Sequence, residues 1–489
     1  MAINLEESTV AIRESRLGGI TGYDGDICDL CRQTKCGSAD NRERCFSQAG
    51  SCISSALHGL ANITDIAVIN HAPQGCTAFA PDSLTEHGFV AKKRGVPYHT
   101  VILGTDINEK DTVFGATDSL KEIVLETYRR YKPKAIFIGT SCTSGIIGED
   151  IDSVVDELKQ ELPIPVASVH CEGFKSKILA GRFDLVDHAV LTSIVKPPRK
   201  KNHKVNFKNF NESAREEITE LFANFGVEPF FFYATATVEE LSHLSESLAT
   251  VCICGSLGTY IGNALEEKYG VPYIKTIDPL GIVGFETWLR ALGKVIAQEA
   301  AVEAYIERER ALYLPQIEAV KRELQGLRAV VNMGPGFAFQ ISRVLQELGI
   351  KLEYVISLHH DSRFDDGEVP AFIEYYAQKE NAVENFKVSI SDQQNFEIMN
   401  ILNAFKPDIY LSRHSGTTVG AIKQGVASLF VGDEYKAFGY KGTLDFAQTI
   451  LYTVKNRSFE KNLAARVKLP YTAWWYKQNS AAFLKEEVE

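Results

Sequence analysis

Short apolar runs alternate with amphipathic stretches along this chain of 489 residues, the pattern of parallel sheets covered by helices. The segments 66–70, 135–140 and 166–170 read as buried strands, and the periodicity predicts helices over 118–131 and 151–162. A second cycle starts at Phe230, runs through a charged helix predicted over 238–248, and reaches a strand over 249–254. A third starts with a strand over 329–333, followed by Gly334-Pro335-Gly336 and a helix over 340–348. The charge-rich stretch 302–327 is predicted to be a long helical connector between the second and third cycles. The fold class is therefore α/β, with three doubly wound parallel-sheet units behind a cysteine-rich N-terminal arm. The expected boundaries are 1–44 for the arm, then 45–220, 221–325 and 326–489.

Cysteines fall where these strands are predicted to end. Cys254 closes an apolar run and opens a glycine-rich stretch leading into a helix, and Cys76, Cys142 and Cys171 recur in the same kind of place. Ligands of α/β sheets bind beyond the carboxyl ends of the strands, so folding is expected to gather distant thiols on one face. Thiolates select zinc, copper(I) or iron–sulfur centres, and the spacing matches no compact zinc ribbon. In the arm, Cys28, Cys31, Cys36 and Cys45 form C-x2-C-x4-C-x8-C, with Cys52 close behind. The first three suit zinc or an extra iron–sulfur centre; alternatively they are bystanders, and Cys45, or next Cys52, completes a site with Cys76 and Cys142.

Composition excludes several classes of function. With 45% hydrophobic and 24% charged residues and a net charge of -11, the chain is poorly suited to nucleic acid or an anionic membrane. The basic stretch 199–204 reads as a solvated loop after Pro197-Pro198. The acidic start and the lack of an apolar run near the roughly 18 residues of a membrane span lead to the expectation of a cytoplasmic protein with reduced thiols.

Several motifs, in order, resemble nitrogenase component 1: Cys45 with Gln48-Ala49-Gly50-Ser51, His71 to Cys76, Asn108-Glu109-Lys110-Asp111 with Val113-Phe114-Gly115, and Thr140-Ser141-Cys142 with Gly148-Glu149-Asp150. Cys171-Glu172-Gly173-Phe174 and Glu266-Glu267-Lys268-Tyr269-Gly270 are similar to its α-type chains. The resemblance implies three Rossmann-like domains, a homologous β-type partner in an α2β2 assembly, and electrons from a separate ATP-dependent iron–sulfur reductase. It implies that Cys76 and Cys142, with Cys45 or Cys52, hold this chain's share of an eight-iron relay cluster of the P-cluster type. It further implies that Cys254 anchors an iron–sulfur active-site cluster of nitrogenase-cofactor type, and that Cys171 binds no metal.

Departures from the family pattern narrow the function. Phe438-Gly439-Tyr440-Lys441-Gly442 lacks the family's second metal-binding histidine, Phe337 in Gly334-Pro335-Gly336-Phe337 stands where an arginine is expected, and Gly181-Arg182-Phe183-Asp184 lacks a histidine near the substrate. A pocket without those groups suits a more apolar small molecule. The branch expected is the nitrogenase-like methylthio-alkane reductase, which reductively cleaves carbon–sulfur bonds; the alternatives are a cofactor-assembly scaffold and a dinitrogenase α chain. Two polar turns, one carrying His359 and His360 and one carrying His414, are expected to face the cluster and supply protons, with Lys441 nearby. Gly334, Gly336 and Phe337 are expected beside the cofactor with Cys254. Outside the family, the glycines Gly255, Gly258 and Gly262 after a strand suggest a nucleotide-binding regulator, although their spacing is not the dinucleotide fingerprint.

Overall fold

A computed structural model describes residues 3–37, 40–45, 47–48, 52–208, 214–233, 235–378, 384–392, 394–432 and 436–485. Residues 49–51 of the Gln48-Ala49-Gly50-Ser51 motif lie outside the described residues.

Three parallel sheets carry the fold. The first has the order Val101–Gly104, Ile66–Asn70, Ala135–Gly139, Val166–Val169. Its central strands, Ile-Ala-Val-Ile-Asn and Ala-Ile-Phe-Ile-Gly, are buried at every position because helices cover both faces. Those helices bury one stripe each: Leu120, Val124 and Thr127 in Thr117–Tyr131, and Ile151, Val154, Val155 and Leu158 in Ile151–Glu161. The second sheet has the order Glu228–Phe232, Lys204–Lys208, Ala249–Cys252.

The third sheet has six strands: Ala427–Phe430, Ile409–Ser412, Arg328–Met333, Lys351–Ser357, Lys387–Ser391 and Gly22–Asp26. The last is antiparallel and comes from the N-terminal arm, with Tyr23 opposite Ile390 and Asp26 opposite Lys387. Gly19–Ile20 also pairs antiparallel with His360–Asp361. The arm is thus an edge of the third sheet as well as a connector.

In each sheet the strand order reverses beside the first strand of the unit, which opens a crevice at the carboxyl ends there. In the first sheet, the strands flanking that reversal lead to Cys76 and to Cys142. In the second, one of them leads to Cys254. In the third, they lead to Gly334-Pro335-Gly336-Phe337 and to Arg413-His414. One rule of α/β topology therefore accounts for the placement of Cys76, Cys142, Cys254 and Gly336.

Two predicted elements differ in detail. The helix expected over 238–248 stops at Ser242 and continues as a single 3-10 turn, Leu244–Glu246. The Asn206 amide donates to the Leu244 carbonyl and the Ser245 hydroxyl to the Lys196 carbonyl, so neighbouring segments claim groups that a longer helix would need. The helix expected from Gln340 instead begins at Pro335, with Gly334 as its N-cap residue, because proline lacks only an N–H that the first turn leaves unused.

Candidate metal centres

The first crevice is built by buried polar pairs. The His71 ring is fully buried; its Nδ1 meets the Thr105 hydroxyl at 3.0 Å and its Nε2 meets the Glu149 carboxylate. Glu149 also accepts from the Ala116 N–H, so one carboxylate ties the loop before Cys76 to the segment after Cys142. The Asn70 amide donates to the Cys76 carbonyl at 3.0 Å. Ser141 caps the helix Cys142–Ile147 through a reciprocal box with Ser144, which fixes Cys142 as its first residue.

Gly173 brings a third cysteine to this place. A Cβ there would lie 2.3 Å from the Cys52 Sγ and 3.5 Å from the Cys142 Sγ, so the Gly173 backbone packs directly on both thiols. Cys52, Cys76 and Cys142 are all exposed. Cys45 goes elsewhere: its N–H donates to the Phe483 carbonyl at 2.8 Å, and the adjacent Arg44 is paired with Glu397 beside the third sheet. Between the two alternatives left by spacing, the geometry brings Cys52 and not Cys45 to Cys142. Cys171 is a buried thiol donating to the Thr140 carbonyl at 3.2 Å, and burial pushes it well above the usual thiol range. Cys28, Cys31 and Cys36 share the helix Ile27–Cys36, with Cys31 buried and the other two exposed. Among the described residues no three His, Cys, Asp or Glu side chains enclose a single ion.

The second centre lies where the crevices of the second and third sheets meet. Cys254 precedes the helix Gly255–Tyr269 as its N-cap residue, and its carbonyl accepts from the Leu257 N–H at 3.0 Å. A Cβ on Gly336 would lie 2.6 Å from the Cys254 Sγ and 3.5 Å from both the Asp278 Oδ2 and the Ser256 hydroxyl, so only a glycine lets the third unit close on the thiol. Burial first, then Asp278, pushes the Cys254 thiol well above its ordinary range. Asp278 accepts from the Gly255 N–H at 2.9 Å, and burial pushes its carboxyl up to about 7. Phe337 is buried under the Arg413 guanidinium, which lies 4.8 Å from its ring centre. Gly334 serves as a helix cap, with open space where a side chain would be.

The polar turns require correction. His360 does not face this centre: its ring is fully buried edge-on against the stacked pair Phe339 and Phe372, with Nε2 2.9 Å from the Thr34 hydroxyl, because the N-terminal arm pairs with that segment and covers it. Burial holds its pKa down to about 4. His359 is buried with Nε2 3.3 Å from the Asp361 carboxylate. His414 caps the helix Ser415–Lys423 at the mouth of the third crevice, and its buried Nε2 has no hydrogen-bond partner. Burial and the charge of Arg413 hold it down to about 4. Lys441 is also misplaced by the sequence reading. It lies on the solvent side of the helix Gly439–Lys455 and pairs with Asp445 one turn on, at 2.6 Å. Phe438 packs against Phe285 and Trp288, and Tyr440 donates to Glu286, so this turn presents aromatic side chains to a core and no metal ligand.

The sequence reading missed the buried charges around the centre. Arg13 is fully buried and bonds Asp184 at 3.0 Å, Asp361 at 2.6 Å and the Ser256 carbonyl at 2.6 Å, joining all three units two residues from Cys254. Arg16 adds Asp184 at 2.8 Å and Asp365 at 2.6 Å. The neighbourhood of Phe337 is not wholly apolar, since the Arg413 guanidinium lies over its ring. Single arginines scattered through a sequence carry no spacing pattern, so only the fold reveals them.

The fold is an α/β scaffold with thiols, soft donors of the kind metal clusters take, at its crevices. The chain belongs to the nitrogenase component 1 type oxidoreductase family, whose model matches residues 52–455, and it is an α-type chain of that family. It is 25% identical over 425 residues to the nitrogenase molybdenum-iron protein alpha chain of Methanococcus maripaludis, spanning 81% of this chain and 84% of that one. It is 26% identical to the alpha chain of Methanothermobacter marburgensis, over 88% and 92% of the two chains. It is also 26% identical to the nitrogenase iron-molybdenum cofactor biosynthesis protein NifE of M. maripaludis, over 80% of each. The solved structure "Nitrogenase Cp1 at pH 5" superimposes with a TM-score of 0.68 at 20% identity, over 89% of this chain and 94% of that one, and shows the same fold. No helix among the described residues is long and apolar enough to cross a membrane.

Proposed function

We propose that this chain is the catalytic α-type subunit of a nitrogenase-like, ATP-dependent reductase complex that cleaves the carbon–sulfur bond of methylthio-alkanes. The observation that carries this reading is a single buried thiol, Cys254, facing the glycine backbone of Gly336, with aromatic side chains at the turn where a second metal ligand is expected. The donor chemistry fits the two clusters the family implies. Cys52, Cys76 and Cys142 are exposed thiols at one crevice, suited to a relay cluster shared with a β-type partner, and Cys254 suits a buried cluster held at one end. When bound, such clusters pass single electrons and offer iron to a thioether sulfur.

The balanced reaction takes two electrons from the ATP-hydrolysing reductase and two protons, breaks one C–S bond, and forms methanethiol and a hydrocarbon. Within this chain, Cys254 anchors and Gly336 leaves room beside it. Phe337, buried on the helix that carries Gly336, excludes water from this side. His414 presents its unpartnered Nε2 as a neutral imidazole at neutral pH, able to pass a proton without carrying a standing charge.

The test is turnover of ethyl methyl sulfide by the anaerobic complex with its reductase and ATP. Methanethiol release supports the reading; intact iron clusters with no methanethiol overturn it. The likeness to NifE favours a second reading, a scaffold that builds a cofactor precursor on Cys254. A scaffold transfers its cluster to an acceptor apoprotein without methanethiol release, and a dinitrogenase α chain instead yields ammonia.

The relay assignment has its own test. In Cys52→Ala the complex is expected to lose the relay cluster's iron and its redox signature, whereas Cys45→Ala keeps both. The reverse outcome would return the role to Cys45.

A further inference from the structure

The Cys254 thiol stands at a helix start that it does not cap. Cys254 is the N-cap residue of the helix Gly255–Tyr269, yet its side chain makes no capping hydrogen bond. The first N–H groups of a helix have no partners within it, and an N-cap side chain ordinarily takes one of them. Here the Cys254 carbonyl accepts from the Leu257 N–H at 3.0 Å, and the Gly255 N–H goes to the Asp278 Oδ1 at 2.9 Å. Asp278 is buried and comes from a separate turn of the second unit. That turn is gripped by the opposite wall of the centre. Arg343, fully buried on the helix Pro335–Glu347, donates to the Leu280 carbonyl at 2.5 Å and to the Asp278 carbonyl at 3.4 Å, and Glu347 accepts from the Ile282 N–H at 3.0 Å. A Cβ on Gly284 would collide with both the Asp278 carbonyl and the Arg343 guanidinium, so this packing leaves no slack. The same helix carries Gly336 in its first turn, and the Gly336 backbone faces the Cys254 Sγ and the Asp278 Oδ2. Asp278 thus meets the helix of Cys254 through its side chain and the helix of Gly336 through its main chain.

We infer that Asp278 is a positioning residue for the active-site cluster: it caps the helix of Cys254 from outside, fixes the spacing of the two walls, and leaves the Cys254 sulfur free for iron. This rests on the reading of Cys254 as the cluster anchor, and not on the carbon–sulfur chemistry. Groups that hold a metal ligand in place are worth nearly as much to the site as the ligand itself. Without Asp278 the Gly255 N–H loses its acceptor beside a buried thiol, and the helix start must turn or fray to find another. Either movement displaces the sulfur that holds the cluster. An asparagine offers the same oxygen at the same reach, so it keeps the acceptor while removing the carboxylate.

The test compares wild type, Asp278→Ala and Asp278→Asn as anaerobic complexes carrying their clusters, without substrate, reductase or ATP. Release of iron to a chelator is followed together with the low-temperature spectrum of the active-site cluster, and the relay cluster in the same sample serves as the control for folding. In Asp278→Ala the active-site cluster is expected to be lost about 10-fold faster and its spectrum to broaden, while Asp278→Asn stays within about 2-fold of wild type. Relay iron is expected to leave all three at the same rate. Asp278→Ser, polar but too short to reach the Gly255 N–H, takes the place of the Ala variant if that one does not assemble, with the same expectation. A truncated variant that matches wild type overturns the positioning role, and so does an Asn variant as damaged as the truncated one, since the charge and not the hydrogen bond would then matter. A Cys254→Ala complex that keeps its active-site cluster overturns the anchor and this role with it. The expected chelator series, with no methanethiol from ethyl methyl sulfide, keeps the positioning role and sinks the carbon–sulfur chemistry.

Discussion

Cys254→Ala is expected to abolish turnover, by more than about 100-fold, since even an outer partner of a metal ligand is worth about 10–100-fold. Cys254 is the only cysteine at the junction of the second and third crevices among the described residues, apart from Cys252, whose thiol is turned to donate to the Cys254 carbonyl at 2.9 Å. The variant protein itself should fold, because removing one buried sulfur costs only about 1 kcal/mol. Iron analysis and low-temperature spectroscopy of the anaerobic complex are expected to show the active-site cluster lost and the relay cluster, at Cys52, Cys76 and Cys142, retained. A Cys254→Ala complex with its full iron complement and turnover would disprove the anchor.

Arg13→Met carries the largest expected loss of stability, about 3–5 kcal/mol, because it leaves two buried carboxylates facing one another without their cation. Burial alone would raise the Asp361 carboxyl, but Arg13 and His359 hold it well below the usual carboxylate range. Asp184 is 1% exposed and keeps only Arg16 in the variant. The measurement is the urea midpoint of wild type, Arg13→Met and the double variant Arg13→Met/Asp361→Asn. The double variant is expected to recover part of the loss, since the two sites share one network. A single variant within about 0.5 kcal/mol of wild type, the scatter of ordinary surface changes, would show that the network is energetically idle.

The strands were legible because a parallel strand covered on both faces is apolar at every position, as in Ile66–Asn70 and Ala135–Gly139. The placement of Cys76, Cys142 and Cys254 was legible for a related reason: the carboxyl end of a buried strand is where side chains first reach a crevice. Gly336 was expected beside the cofactor with Cys254, and its backbone does approach that thiol closely.

What could not be read was decided by contacts distant in the chain. His360 was expected on a polar turn facing the cluster, but the pairing of Ile20 with His360 buries it under the arm. Lys441 follows a glycine turn, and only the direction of the helix Gly439–Lys455 shows that it faces outward. The choice between Cys45 and Cys52 depends on Gly173, more than a hundred positions away, and no local spacing contains that information.

The pairing of the strand Gly22–Asp26 with Lys387–Ser391 has a consequence for biogenesis. Arg13 and Asp361 stand 348 residues apart, so the segment around Arg13 must wait for that length of chain to be made before its own partners exist. Contacts of such long separation form late and slowly. Until then, the strand Gly22–Asp26 has no partner for its free edge, and maturation of this chain is most vulnerable to clumping in that interval.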